Sequence, residues 1–284
     1  MKKIAFCALL CLICLSSKAQ NIAPRDNVLW DMNYYNPAMI TRSTGIYADI
    51  YGRYDANPVK RDYVNPVDIA AETFYVRDNY CWQATLSHDG LSYFDATALS
   101  VAYSHRFDFG DNNNQSFRIG GRVILGYGRV DYSKLPYGMN GYNIMVRPDI
   151  DLGFDYRYKF FHIGMSIMNV MSLPIKDEDG IVYFRYPRAG LGHIIFDVNV
   201  CDNFMLNPYF MAGLAQNFFI DMGLSMTIFK NYHLAYSFHG TDLAHNIGLA
   251  IDIADKVRIE GGYRIYPSHH NSALTLKLCV KLAD

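Results

Sequence analysis

The sequence has almost no net charge, very little tryptophan and, beyond its first residues, no long apolar run. A formal charge of −1 over 284 residues removes the electrostatic footprint expected of a nucleic-acid binder. After residue 20 nothing approaches the roughly 18 consecutive apolar residues that mark a transmembrane helix. Cysteine is scarce where it would matter. Cys7, Cys11 and Cys14 lie at the start, which leaves Cys81, Cys201 and Cys279, an odd and scattered set. Such a set gives neither a disulfide framework nor a metal-ligand spacing. What the chain does hold is 23 tyrosines, 17 phenylalanines and 21 glycines against 2 tryptophans, distributed over short alternating segments. That composition reads as all-β.

The first residues predict export. Met1-Lys2-Lys3 is basic, Ile4 to Leu15 is apolar, and Ser17 and Ala19 supply the small residues for a cut before Gln20. The apolar run is shorter than the roughly 20 residues a permanent anchor needs. The three early cysteines follow Phe6, Leu10 and Ile13, a poor context for lipid attachment. The chain therefore divides into a signal peptide, 1–19, an N-terminal periplasmic segment, 20–44, and a strand-rich domain, 45–284.

Successive side chains of a strand point to opposite faces, and one face of these segments is consistently apolar. In Ser116–Gly128, Phe117, Ile119, Val123, Leu125 and Tyr127 oppose Arg118, Arg122 and glycines. In Pro148–Tyr158, Ile150, Leu152, Phe154 and Tyr156 oppose Asp149, Asp151, Asp155 and Arg157. Lys256–Ile265 sets Val257, Ile259 and Tyr263 against Arg258, Glu260 and Arg264, and Ala273–Leu282 sets a row of leucines against Thr275, Lys277 and Lys281.

A soluble sandwich also alternates, but the segments here run to roughly 9–12 residues, the length of a tilted membrane strand. Aromatics gather near the segment ends, as interfacial girdles do. The polar faces are rich in glycine, which suits a crowded interior. The expectation is a transmembrane antiparallel β-barrel of about 14 strands. Its strands fall near 45–54, 66–76, 80–88, 95–107, 115–128, 148–158, 160–169, 188–197, 204–214, 217–229, 231–239, 244–253, 256–265 and 272–282. Asp89-Gly90, Asp179-Gly180 and Asp111 to Asn114 read as turns, and 131–147 and 171–188 as long irregular loops.

Ahead of the first strand stands Trp30 to Ile40, WDMNYYNPAMI, with Tyr34, Tyr35, Asn36, Pro37 and Ala38 at its heart. This layout, an export signal, an aromatic and asparagine segment ending in Asn-Pro-Ala, then strands to the C-terminus, resembles the PorP/SprF family of type IX secretion and gliding barrels. Pro148 to Val170 is similar to the family's mid-chain pattern: a Gly-aromatic strand, a short basic turn and an aromatic-Ile-Gly-Met strand. The chain departs from the family at Met39–Gly45 and at Tyr54, where a tryptophan is usual. The resemblance implies an outer-membrane component that works with periplasmic secretion proteins and a large secreted surface protein, with no cofactor and no enzymatic activity.

Physical chemistry adds expectations of its own. A residue before proline is driven to extended geometry, so Asn36 should be extended. Tyr34 and Tyr35 can dock on an inner wall as the asparagine amides satisfy backbone groups. The segment is expected to act as a plug or docking surface at the periplasmic mouth, or as an ordinary lead-in to the first strand. Asp49, Arg53, Arg118, Arg122, Asp149, Asp151, Asp155, Arg157, Arg258, Glu260 and Arg264 should face the lumen. Buried charges need partners or water, so arginines of 116–126 and 256–264 are expected to pair with acids of 149–155. An open, hydrated lumen would instead make a general or selective porin. Ser87-His88-Asp89, Ser104-His105, Ser237-Phe238-His239 and Ser268-His269-His270 sit in no nucleophile context.

Overall fold

The computed structural model describes residues 28–40, 42–56, 67–91, 94–109, 115–131, 142–176, 182–185, 187–215, 217–241, 243–254, 256–267 and 271–284. The expected signal peptide, the Asp111–Asn114 and Asp179-Gly180 turns and Ser268-His269-His270 lie outside these residues.

Fifteen strands form one sheet: β1 (Gly45–Ala56), β2 (Val67–Val76), β3 (Tyr80–Leu91), β4 (Phe94–Phe109), β5 (Gln115–Asp131), β6 (Tyr142–Tyr158) and β7 (Phe161–Met168), then, after a small separate hairpin of β8 (Pro174–Lys176) and β9 (Val182–Arg185), β10 (Ala189–Phe196), β11 (Val198–Cys201), β12 (Phe204–Leu214), β13 (Phe218–Ile228), β14 (Tyr232–His239), β15 (Ala244–Ile253), β16 (Val257–Tyr266) and β17 (Asn271–Ala283). Each strand pairs antiparallel with its neighbour, β1 pairs with β17, and β10 also pairs with β12. β10 and β11 are two halves of one stave broken at Asp197, so the closed barrel has 14 staves. Closure leaves no sheet edge, which is what a membrane requires of strands.

The alternation faces outward. On β17 Leu274 and Leu276 are 60% and 61% exposed while the alternating Thr275 and Lys277 are 5% and 4% exposed. On β5 Val123 is 63% exposed and Arg122 only 6%. This inside-out arrangement places the apolar side chains against lipid. Outward aromatics mark the end that carries the start of β1: Trp82 and Tyr103 meet tilted with centroids 4.7 Å apart, Phe109 stacks near Tyr156 at 6.1 Å, and Phe160 near Phe196 at 6.5 Å. Tight connections such as 159–160 and 202–203 lie at this same end. Short turns and the chain's entry mark it as the periplasmic end.

Three expectations need correction. Asp89-Gly90 makes no turn: Asp89 pairs with Asp68 and Gly90 with Val67 inside the β2–β3 ladder. Part of 131–147 is not loop: Asp131 and residues 142–147 belong to the β5–β6 ladder, which ends with Asp131 opposite Tyr142, and 132–141 lie outside the described residues. Lastly, Met32–Tyr35 forms one helical turn, α1, where no regular element was expected.

Candidate functional site: the segment inside the barrel

Residues 28–40 and Arg42 lie within the lumen and touch walls on several sides. Val28, Met32, Tyr35 and Met39 pack with Met168, Leu191, Ile195, Tyr209 and Met211 from β7, β10 and β12 in one buried apolar cluster. This explains the apolar inner face of β10, which is otherwise anomalous in a polar lumen. Ile40 packs on Tyr47, Phe74, Val76 and Cys81 of β1–β3. The Arg42 guanidinium lies 4.4 Å from the Phe74 ring centroid, and Arg258 lies 5.2 Å from that of Trp30.

Asn36 is extended at φ −137°, ψ 107°, as a residue before proline should be. Its Oδ1 accepts from Ala38 N at 2.9 Å and its Nδ2 donates to Phe154 O at 2.9 Å. Ser166 Oγ donates to Tyr35 O at 2.7 Å, and Arg122 Nη1 donates to Tyr34 O at 2.9 Å while its Nη2 reaches Asn33 O. Tyr34 and Tyr35 meet edge to face at 5.1 Å. Every backbone carbonyl from Asn33 to Tyr35 thus has a wall side chain as partner, which a buried irregular segment needs.

Glycines make the room. Gly120 and Gly153 are cross-strand partners on β5 and β6. A Cβ on Gly120 would stand 2.5 Å from Pro37 O, and one on Gly153 would collide with Asn36 Oδ1. The Asn-Pro bend therefore sits in a notch cut for it.

Ion pairs bind the segment to the far wall. Lys277 on β17 is fully buried and bonded to Asp31, with Asp49 Oδ2 3.6 Å away; Arg42 is bonded to Asp49 as well. Other charges pair locally. Arg122 meets Asp151 at 3.2 Å across β5–β6, Arg147 meets Asp149 at 3.7 Å, Arg258 meets Glu260 at 2.8 Å, and Arg53 meets Asp55 at 2.8 Å. The expected pairing of 256–264 with 149–155 does not occur among the described residues. The same or the adjoining strand offers closer partners, and the segment stands between the walls. Asp155 instead accepts from His162 and His193, at 3.4 Å and 3.3 Å. Arg264 is buried with its guanidinium 4.8 Å from the Tyr266 ring. Arg118 is half-buried, and Arg157 stands at the rim, 52% exposed, beside Asp197.

Sequence reasoning missed Asp31 and Lys277, Ser166, and the Gly120–Gly153 notch. The signal for the notch was present, as two glycines on the polar face of adjacent strands. The described histidines of the Ser/His pairs bond elsewhere: His88 with Thr97, His105 with Tyr103, His239 with Asp221. No cluster of metal-ligating side chains occurs among the described residues.

A closed antiparallel barrel with a lipid-facing apolar belt and a chain segment threaded through its lumen defines an outer-membrane β-barrel protein. Residues 17–264 match the model of a family described as type IX secretion system membrane protein PorP/SprF, and the chain belongs to that family. No curated protein matches the chain in sequence. Among solved structures it is similar to the outer membrane protein Omp33 of Acinetobacter baumannii, with TM-score 0.53, 7% identity, and coverage of 85% of this chain and 100% of that one. The toluene transporter TbuX of Ralstonia pickettii gives TM-score 0.57, 9% identity, and coverage of 87% and 92%. CymD, a monoaromatic hydrocarbon channel, gives 0.54, 8%, and coverage of 84% and 88%. At these identities the likeness is one of fold. The protein is an outer-membrane component of type IX secretion.

Proposed function

We propose that this barrel is a non-enzymatic part of the apparatus that exports, or holds at the cell surface, a large adhesin-like protein, working with periplasmic secretion proteins. In this reading the segment around Tyr34, Tyr35, Asn36, Pro37 and Ala38 is a lumen plug whose periplasmic side serves as a docking surface. The observation that carries the plug is its attachment to opposite walls, through Asn36 on β6 and Asp31 on β17. A lead-in strand would need neither bond. The test is retention of partners by the tagged chain from detergent-solubilised outer membrane of its host, with and without Asn21 to Ile40. Recovery of one large secreted protein with secretion components, lost on deletion, supports the proposal.

A second reading, a porin, draws support from a cavity of ≈ 160 Å³ on the outer side of the segment, lined by Asp68, Glu72, Gln83, Asp89, Arg122 and Arg147. Recovery of a lone barrel with steady conductance would favour it.

A further inference from the structure

We infer that the periplasmic mouth carries a docking site for an acidic peptide segment of a periplasmic protein, formed by Arg106, Arg118, Arg157 and Lys159 beside Ile40. The inference rests on the secretion reading for where its partner lives, and on charge and geometry for what that partner presents.

The site is a cavity of ≈ 240 Å³ whose lining joins the ends of β4, β5 and β6, the turn at Lys159, and Met39 and Ile40 of the inner segment. Four permanent cations line it, and Asp155 is the one carboxylate among the lining residues. That carboxylate is already engaged by His162 and His193. Arg106 and Arg118 are direct cross-strand partners, an arrangement of like charges that destabilises a sheet unless something offsets it. Arg106 finds Asp108 at 2.7 Å. Arg118 donates to the Ile40 carbonyl at 3.4 Å and feels Asp155 and Asp108 at longer range, but no carboxylate among the described residues forms an ion pair with it. Lys159 is held at φ 50° in the turn, 5.2 Å from the Tyr158 ring centroid, and likewise has no described carboxylate partner. A carboxylate set between Arg118 and Lys159 satisfies both.

The occupant is a peptide rather than a lipid because the cavity opens to the lumen side. Phe107, Ile119 and Phe154 on the outer face of the same strands lie between it and the bilayer. An Ile40 edge beside the cations suits an apolar side chain next to an acidic one, which a free inorganic anion does not offer.

The test uses the full mature chain in zwitterionic nanodiscs and a fluorescein-labelled peptide of alternating glutamate and leucine, read by anisotropy. Saturable binding that weakens with salt is expected. Arg118→Gln with Lys159→Gln should weaken it about tenfold or more, whereas Lys230→Asn, on a distant exposed turn, should stay within about twofold. If the double variant fails to fold, Lys159→Glu alone, at an exposed turn, should still weaken binding. Equal binding by wild type and charge variants overturns the site. Equal binding of a lysine-leucine peptide overturns it too, as does competition by phosphatidylglycerol vesicles with the same variant dependence. Cargo secretion that is unchanged when the barrel is removed, with intact peptide binding, counts against the proposed function alone; no peptide binding by the wild type, with secretion that needs the barrel, counts against this site alone.

Discussion

Gly120 and Gly153 face each other across β5 and β6, and the bend at Asn36-Pro37 rests on both. Alanine at either position forces the bend outward, an overpacking that costs about 1–3 kcal/mol. Limited trypsin digestion with mass spectrometry should show cleavage after Arg42 rising about tenfold in Gly120→Ala or Gly153→Ala, since 1.4 kcal/mol is tenfold in an equilibrium. Gly190→Ala, where an added Cβ meets nothing within 4 Å, should leave the digestion unchanged.

Asn36 is the next test of the same contact. Asn36→Ala removes the donor to Phe154 O and the acceptor for Ala38 N, at a cost of about 1–3 kcal/mol. With only 2 tryptophans in the chain, a Trp82→Phe background leaves Trp30 as sole reporter. Its fluorescence should report segment release at a lower urea concentration in Asn36→Ala, and lower still in Asn36→Asp, which presents a carboxylate to a carbonyl.

The buried pair of Asp31 and Lys277 calls for a double-mutant cycle. Lys277→Met leaves Asp31 and Asp49 with one fewer cation and should destabilise the folded barrel by about 3–5 kcal/mol. Adding Asp31→Leu should recover most of that loss, because a well-packed apolar pair often equals a buried ion pair. The temperature at which the barrel loses its compact mobility on a denaturing gel measures each variant.

Deleting Asn21 to Ile40 should leave strands and membrane insertion intact, since the barrel's ladders close without the segment. Single-channel recordings in planar bilayers should then show conductance well above that of the full chain. An unchanged trace would remove the plug from the proposal.

The staves were legible because lipid imposes a period of two on every outward face, as in Leu274, Leu276 and Leu278. Where β5 and β6 run on past that demand, toward Asp131 and Tyr142, polar residues and glycines look like loop. The stave of His193, expected at 188–197, is found as β10, but it turns Ala189, Leu191 and Ile195 inward to meet Met32 and Met39, so both its faces are mixed. Asn-Pro-Ala stood out as a motif, yet the wall partners of the segment that carries it, on β5, β6, β7 and β17, are fixed only by closure, which no local pattern encodes.

Asp31 and Lys277 are 246 residues apart, so their contact joins nearly the two ends of the barrel-forming chain. The segment can reach its final place only after β17 has joined β1. Its docking is therefore a late event in the birth of the molecule, and a barrel that never closes keeps this stretch loose in the periplasm, within reach of proteases that remove incomplete chains.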